Sequence, residues 1–244
     1  MSSTYSPRQL FPREPHPRRT REERLALLRQ ARLYLCTDAR RAQGDLPSFL
    51  RSCYEGGVDI IQLRDKKLEA RAEIEALATL AEIAHEQGTL FAVNDRADVA
   101  ALVGADILHL GQGDLSTAQA RSLLGTDILL GRSNRSEAMF RDSLADDGLD
   151  YACMGPVWRT PTKPGRDPVG LPLIARAREL AEGSSSNPAG KPWFAIGGIN
   201  PETLPEVQEV GARRVVVVRA LTEAADPAAT AHHMRRMLSA AEGT

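Results

Sequence analysis

Hydrophobic residues in this chain fall into short, nearly unbroken aliphatic runs, separated by longer stretches in which apolar positions recur with a helical period. The runs predict eight strands: β1 at Leu33–Thr37, β2 at Val58–Leu63, β3 at Leu90–Val93, β4 at Ile107–Leu110, β5 at Ile128–Gly131, β6 at Tyr151–Met154, β7 at Trp193–Ile196 and β8 at Arg214–Val218. Continuous apolarity suits parallel strands buried on both faces, whereas a strand with one wet face would alternate. The stretches between them predict helices. Over 69–86, Ile74, Leu77, Ala78, Ala81 and Ala84 form one stripe with Glu and Arg elsewhere. Gly88 and Gly211 stand where helices should end. Eight alternations, against about six strands in an open doubly wound sheet, predict an α/β fold of the single-domain (β/α)8 TIM-barrel type.

The pattern fades in two polar segments, one N-terminal and one internal. Residues 1–21 hold repeated arginines among Ser and Pro and are expected to be a disordered arginine-rich tail, leaving 22–244 as the barrel domain. The pair Arg18–Arg19 is followed by REERLALL rather than an apolar stretch, so no twin-arginine signal is expected. Glu14, Glu22 and Glu23 likewise argue against a transit peptide. An amphipathic helix at about 22–31 would place Leu25, Leu27 and Leu28 against the barrel's lower end. The segment GSSSNPAGK at 183–191 reads as a flexible polar connection on that same side.

Composition narrows the function classes. At 244 residues the chain has the size of one such barrel, and 42% hydrophobic residues suffice for a core. Its 31 basic and 32 acidic residues balance to −1, which leaves no global field for nucleic acid or a membrane surface. No apolar run reaches the roughly 20 residues of a bilayer span. Cys36, Cys53 and Cys153 lack CxxC spacing and read as reduced core thiols of a cytoplasmic protein.

The chemistry lies where the strands end. QLRDK closes β2 and puts Gln62, Arg64 and Lys66 at alternating positions, facing the barrel mouth if the strand persists. Two cations and an amide there suit a diphosphate; the alternative is a solvated strand end with a salt bridge from Asp65 to a lysine. Asn94 and Asp95 follow β3, and Asp114 follows β4 in HLGQGD. Adjacent strand ends lie about 5 Å apart, so the two aspartates can share one hard cation of the Mg²⁺ type, although each alone could cap a helix. His109 reads as a hydrogen-bonded residue orienting the rim rather than a catalytic base.

Three further motifs complete the rim. GRSNRS after β5 supplies Ser133, with Asn134 or Ser136 able to cap the next helix. GPVWRTPTKPGR at 155–166 holds Thr160, Thr162 and Lys163 between prolines, the donors of an anion-binding lid. It is not a Walker A loop, since GxxxxGK[ST] is absent. IGGI at 196–199 offers bare backbone N–H groups including Gly198, and β8 brings Val218 and Arg219 to the same region, a common phosphate position in these barrels. The rim therefore carries two anion sites, one metal-assisted and one for a monophosphate, as joining a diphosphate-activated electrophile to a phosphorylated acceptor requires.

At these motifs, from roughly Arg32 to Leu238, the chain resembles the thiamine-phosphate synthase (thiamine-phosphate pyrophosphorylase) family. The resemblance implies a transferase of thiamine biosynthesis acting on two small molecules. It joins 4-amino-2-methyl-5-hydroxymethylpyrimidine diphosphate to thiazole phosphate, plain or carboxylated, and releases pyrophosphate by a dissociative substitution. It also implies that Gln62, Arg64, Lys66, Asn94 and Ser133 bind the pyrimidine diphosphate and that Asp95 and Asp114 hold Mg²⁺. By the same resemblance Lys163 contacts the pyrophosphate, and Thr160, Thr162 and Gly198 engage the thiazole phosphate. Arg64, Lys66 and Lys163 would stabilise the leaving group. Two residues depart from the family pattern: Arg159 replaces a frequent proline, and Arg219 a frequent serine after β8. The rival readings are a thiazole tautomerase-like barrel, which would need no metal, and a phosphate-ligand-binding regulator without chemistry.

Overall fold

The computed structural model describes residues 19–160, 165, 167–183 and 185–240. Eight parallel strands close in sequence order into a barrel: β1 Leu33–Thr37, β2 Ile60–Leu63, β3 Leu90–Asn94, β4 Ile107–Leu110, β5 Leu129–Asn134, β6 Tyr151–Met154, β7 Trp193–Ile196 and β8 Val215–Val217. Closure is made by β1 against β8, with Leu33 opposite Val215. Around the barrel lie α2 (Leu46–Glu55), α3 (Ala70–Glu86), α4 (Ala97–Val103), α5 (Thr117–Leu124), α6 (Glu137–Ala145), α7 (Gly170–Glu182), α8 (Leu204–Glu209) and α10 (Pro227–Ala240). A first helix, α1 (Arg21–Gln30), precedes β1, and a short one, α9 (Arg219–Thr222), follows β8.

Alternation along the strands divides the core in two. Outward residues such as Leu35, Ile61, Val93, Leu108, Leu130 and Met154 pack against the helices. Inward residues, among them Tyr34, Ile60, Leu90, Ile107, Leu129, Tyr151, Phe194 and Val216, fill the barrel itself. Both faces are dry, which explains the unbroken apolar runs.

The stripe expected on α3 is rotated. Leu77, Leu80, Ile83 and Ala84 are buried, whereas Ala78 is exposed. Leu80 and Ile83 remove more apolar area from water than an alanine, so the helix turns them inward. The strand limits differ mainly at β2, which starts after Asp59, and at β5, which runs on through Ser133 and Asn134.

The lower end is built on aspartates. Asp59, Asp106 and Asp150 stand directly before β2, β4 and β6 and accept backbone N–H groups from β1, β3 and β5: Leu33 at 2.9 Å, Phe91 at 3.2 Å and Leu130 at 2.8 Å. Arginines from the N-terminal segment dock on two of them. Arg19 Nη1 and Arg24 Nε reach the two oxygens of Asp106 at 2.8 and 3.0 Å, and Arg21 pairs with Asp150 beside Arg121. Thr20 and Glu23 close a capping box at the start of α1, and Leu28 joins the cluster inside the barrel. The plug expected of this helix is thus present. Arg19, before the expected boundary at residue 22, already contacts the barrel; residues 1–18 lie outside those described. The connection before β7 is also tied in: Asn187 is buried, donating to Ala181 O at 3.0 Å and Lys191 O at 3.1 Å.

Candidate active site

The upper rim begins where β2 stops. The strand ends at Leu63, with the Arg64 N–H donating to Thr37 O at 2.7 Å, so only Gln62 of QLRDK faces the barrel interior. Arg64 and Lys66 leave on a turn, and the shared strand face expected for all three is not formed. Lys66 reaches the site by another route: its Nζ lies 2.8 Å from Asp95 Oδ2. Asp65 instead accepts the Lys67 N–H at 3.1 Å. Arg64 is half-buried and makes no ion pair among the described residues.

Asp95 and Asp114 come together as the strand spacing predicts, and neither caps a helix. The N-cap positions of α4 and α5 are Arg96 and Ser116. Asp95 adopts φ 62°, a left-handed backbone that costs energy for a residue with a Cβ and that clusters at functional sites. Burial, with the nearby Asp114 carboxyl, raises the Asp95 pKa against the opposing pull of Lys66. Burial also pushes Asp114 upward, but hydrogen bonds from the Asp95 carboxyl and the Gly111 N–H (2.7 Å) outweigh it and hold Asp114 below its ordinary value. The two carboxyls thus act directly on one another, with Lys66 as the counter-charge beside Asp95. Among the described residues no cluster of three or more His, Cys, Asp or Glu forms a protein-only metal cage. Two oxygen-only carboxylates open to solvent fit Mg²⁺, which keeps waters and substrate phosphate oxygens as its other ligands.

Beneath this rim the barrel interior is polar at one level. Gln62 donates to Asn94 Oδ1 at 2.7 Å, and His109 Nε2 lies 2.8 Å from Ser133 Oγ. Ser133 is inside β5 rather than after it, which is why it points into the barrel. Ser136, not Asn134, caps α6, accepting from Met139 N at 3.3 Å.

The far side is a cleft of about 420 Å³ lined by Ser133, Thr160, Gly197, Gly198, Val218 and Arg219. Gly197 and Gly198 have φ of 105° and 76°, and a Cβ on either would fall within 3.0 Å of Pro156 or Trp158. Only glycine leaves this stretch of backbone bare. The start of the 155–166 loop is tied to it, with Val157 N–H on Ile196 O at 2.9 Å and Trp158 N–H on Gly197 O at 3.1 Å. Arg159 is exposed and pairs with Asp167. Thr162 and Lys163 lie outside the described residues.

A family model described as thiamine monophosphate synthase matches residues 33–221. The chain belongs to the thiamine monophosphate synthase family. It is 53% identical over 219 residues to a protein of Streptomyces avermitilis named thiamine-phosphate synthase, covering 90% of this chain and 97% of that one. A protein of the same name from Mycobacterium tuberculosis is 53% identical over 229 residues, with 90% and 99% covered. The solved thiamine phosphate pyrophosphorylase of Pyrococcus furiosus superposes with a TM-score of 0.77 at 29% identity, covering 88% of this chain and 98% of that one.

Several residues that frame the site in this thiamine monophosphate synthase family member escaped the motif reading. Arg132 donates to Gly111 O at 3.1 Å and Leu115 O at 2.8 Å, clamping the loop that carries Asp114. Gln112 donates to Ser133 O at 2.8 Å and lines the cleft together with Arg135. All three sit within motifs already singled out, HLGQGD and GRSNRS, but linear spacing did not distinguish them from their neighbours. Gly131 makes room for Tyr151, whose ring a Cβ there would overlap at 2.0 Å.

Proposed function

We propose that this chain is a thiamine-phosphate synthase that joins 4-amino-2-methyl-5-hydroxymethylpyrimidine diphosphate to a thiazole phosphate and releases pyrophosphate. One observation carries the site assignment: a single cleft runs from Gln112 and Ser133 to the bare glycine backbone at Gly197 and Gly198, and His109, which bonds Ser133 through its ring, accepts the Asp95 N–H on its carbonyl. The glycine backbone in this cleft and the Lys66–Asp95–Asp114 cluster on the same rim suit two phosphorylated substrates held with their reacting atoms between them.

In this reading Gln62, Asn94 and Ser133 hold the pyrimidine ring, while Arg64 and Lys66 face its diphosphate. Thr160, Thr162, Gly198, Val218 and Arg219 take the thiazole phosphate, and Lys163 completes the pyrophosphate contacts. Asp95 and Asp114 would hold Mg²⁺, which when bound supplies positive charge against the diphosphate oxygens. The C–O bond to the diphosphate breaks with its electron pair leaving on oxygen, and the thiazole nitrogen then donates its lone pair to the pyrimidinylmethyl carbon. Arg64, Lys66 and Lys163 lower the barrier by neutralising charge as it develops on the leaving group. The 155–166 loop would exclude water from the cationic carbon. No helix among the described residues is long and apolar enough to cross a membrane. Three free buried cysteines support placing the reaction in the cytoplasm.

The test is an end-point assay with both substrates and Mg²⁺, reading thiamine phosphate by mass and pyrophosphate by a coupled enzyme. Both products, lost on chelation, are expected. Neither product from folded protein would sink the reading in favour of a tautomerase-like barrel, and tight binding of both substrates without turnover would point to a regulator.

A further inference from the structure

Six polar side chains on six strands are joined inside the barrel by one series of hydrogen bonds. Asn94 Oδ1 accepts from Gln62 Nε2 at 2.7 Å, and Gln62 Oε1 accepts from the Tyr34 hydroxyl at 2.9 Å. Tyr34 and Tyr151 hydroxyls lie 3.2 Å apart, Tyr151 lies 2.8 Å from His109 Nδ1, and His109 Nε2 lies 2.8 Å from Ser133 Oγ. Tyr34 and Tyr151 are fully buried and are braced edge-on by Phe194, each with ring centroids 5.7 Å from it. Burial raises both phenol pKa values well above the ordinary range, so each keeps its single proton.

Counting those protons gives the series a direction. Gln62 spends its amide N–H on Asn94, so its carbonyl must receive the proton of Tyr34. Tyr34 then has only lone pairs for Tyr151, which donates to it. Tyr151 in turn has only lone pairs for His109, so the imidazole N–H sits on Nδ1. In a neutral imidazole Nε2 is then an acceptor, and the Ser133 hydroxyl gives its proton to it. Both ends of the series are thereby determined: Ser133 turns a lone pair to the cleft, and Asn94 retains its amide N–H₂, which has no acceptor among the described residues.

We propose that this relay sets the hydrogen-bonding polarity of the ring pocket, with Tyr34, Tyr151 and His109 as positioning residues that make Ser133 an acceptor and Asn94 a donor. An acceptor and a donor on either side of His109 match the exocyclic amino group and a ring nitrogen of an aminopyrimidine. They oppose the carbonyl and ring N–H of the 4-oxo analogue. The identity of the ring rests on the synthase reading above, whereas the polarity rests on the proton count with a neutral His109.

Two measurements test it. In ¹⁵N-labelled protein at pH 8, with the His109 signals identified by their loss in His109→Gln, Nδ1 is expected to carry the proton and Nε2 to be bare. A proton on Nε2, alone or together with Nδ1, would overturn the proposal. Calorimetry with the 4-amino and 4-oxo pyrimidine diphosphates should show wild-type protein preferring the amino ligand by roughly a hundredfold or more, since mispaired buried polar groups reject analogues strongly. Tyr151→Phe keeps the ring and removes the link, so the preference should fall about tenfold or further in protein that is still folded at the assay temperature, with a lowered thermal midpoint from the partners left unpaired. Equal weakening of both ligands would mark a merely structural tyrosine and overturn the role. An inactive wild-type protein with the Nδ1 tautomer and the amino preference would remove the synthase reading and leave the polarity standing.

Discussion

The two ends of the barrel use the same residue types to opposite effect. At the lower end Asp106 is 1% exposed, and its oxygens are filled by Arg19, Arg24 and the Phe91 N–H. At the upper end Lys66 is 59% exposed and Asp95 20%, the neighbouring Asp114 carboxyl helps raise the Asp95 pKa, and Asp95 sits on a strained backbone. Charges whose partners are all protein make structure; charges left partly unfilled on the barrel's upper rim leave valence for a ligand. Lys191 belongs to the first kind, although it is a lysine: its buried Nζ donates to Leu144 O at 2.8 Å and Asp146 O at 2.6 Å.

Removing one charge from each end should separate the two roles. Asp106→Ala strands two arginines at the closed end and should cost about 3–5 kcal/mol of stability. Urea unfolding would show this, with turnover per folded molecule unchanged; a fall in turnover at full stability would erase the distinction. Asp114→Ala should do the reverse, lowering kcat by about 10²–10³-fold, the scale of one lost electrostatic stabiliser, with an unaltered unfolding midpoint. Wild-type rates with Mg²⁺ would remove Asp114 from the metal site.

Smaller changes sharpen the same contrast. Deleting residues 1–21 rather than 1–18 takes away Arg19, Arg21 and the Thr20 cap, and should cost about 1–3 kcal/mol more while sparing catalysis. Equal stability of the two deletions would show that the docked arginines do not hold the plug. Near neutral pH the smallest effect is expected in the helical shell, where it emerges only in alkali. Burial raises the Cys53 thiol from its ordinary 9.0 to about 12. Above pH 9 the unfolded chain therefore loses this proton while the folded one keeps it, and stability falls as pH rises towards 12. The slope of urea midpoint against pH in that window should be shallower in Cys53→Ala than in wild type, and equal slopes would remove the thiol as a cause.

Much of this was legible along the chain. Runs such as LFAV and WFAI were strands because a parallel strand dry on both faces is apolar without alternation, and polar motifs directly after them marked the rim. Asp95 and Asp114 could be paired from strand adjacency alone. The aspartates before β2, β4 and β6 were equally visible in VDII, ADIL and LDYA, but their meaning was not, since each serves a neighbouring strand rather than its own. Period-two reasoning failed at Arg64 and Lys66 because β2 ends at Leu63, and a strand's end depends on its partner's bonds.

The order of apolar runs, the motifs after them and the balance of charge determined the barrel, its catalytic end and the family, because those properties are local and periodic. Tertiary structure alone decided which cation meets which carboxylate, that three arginines before β1 seal the barrel floor, and that side chains of six strands join in one hydrogen-bond series between Ser133 and Asn94. Those outcomes join residues as far as 129 positions apart. Such contacts depend on barrel closure and side-chain direction, which no linear spacing encodes.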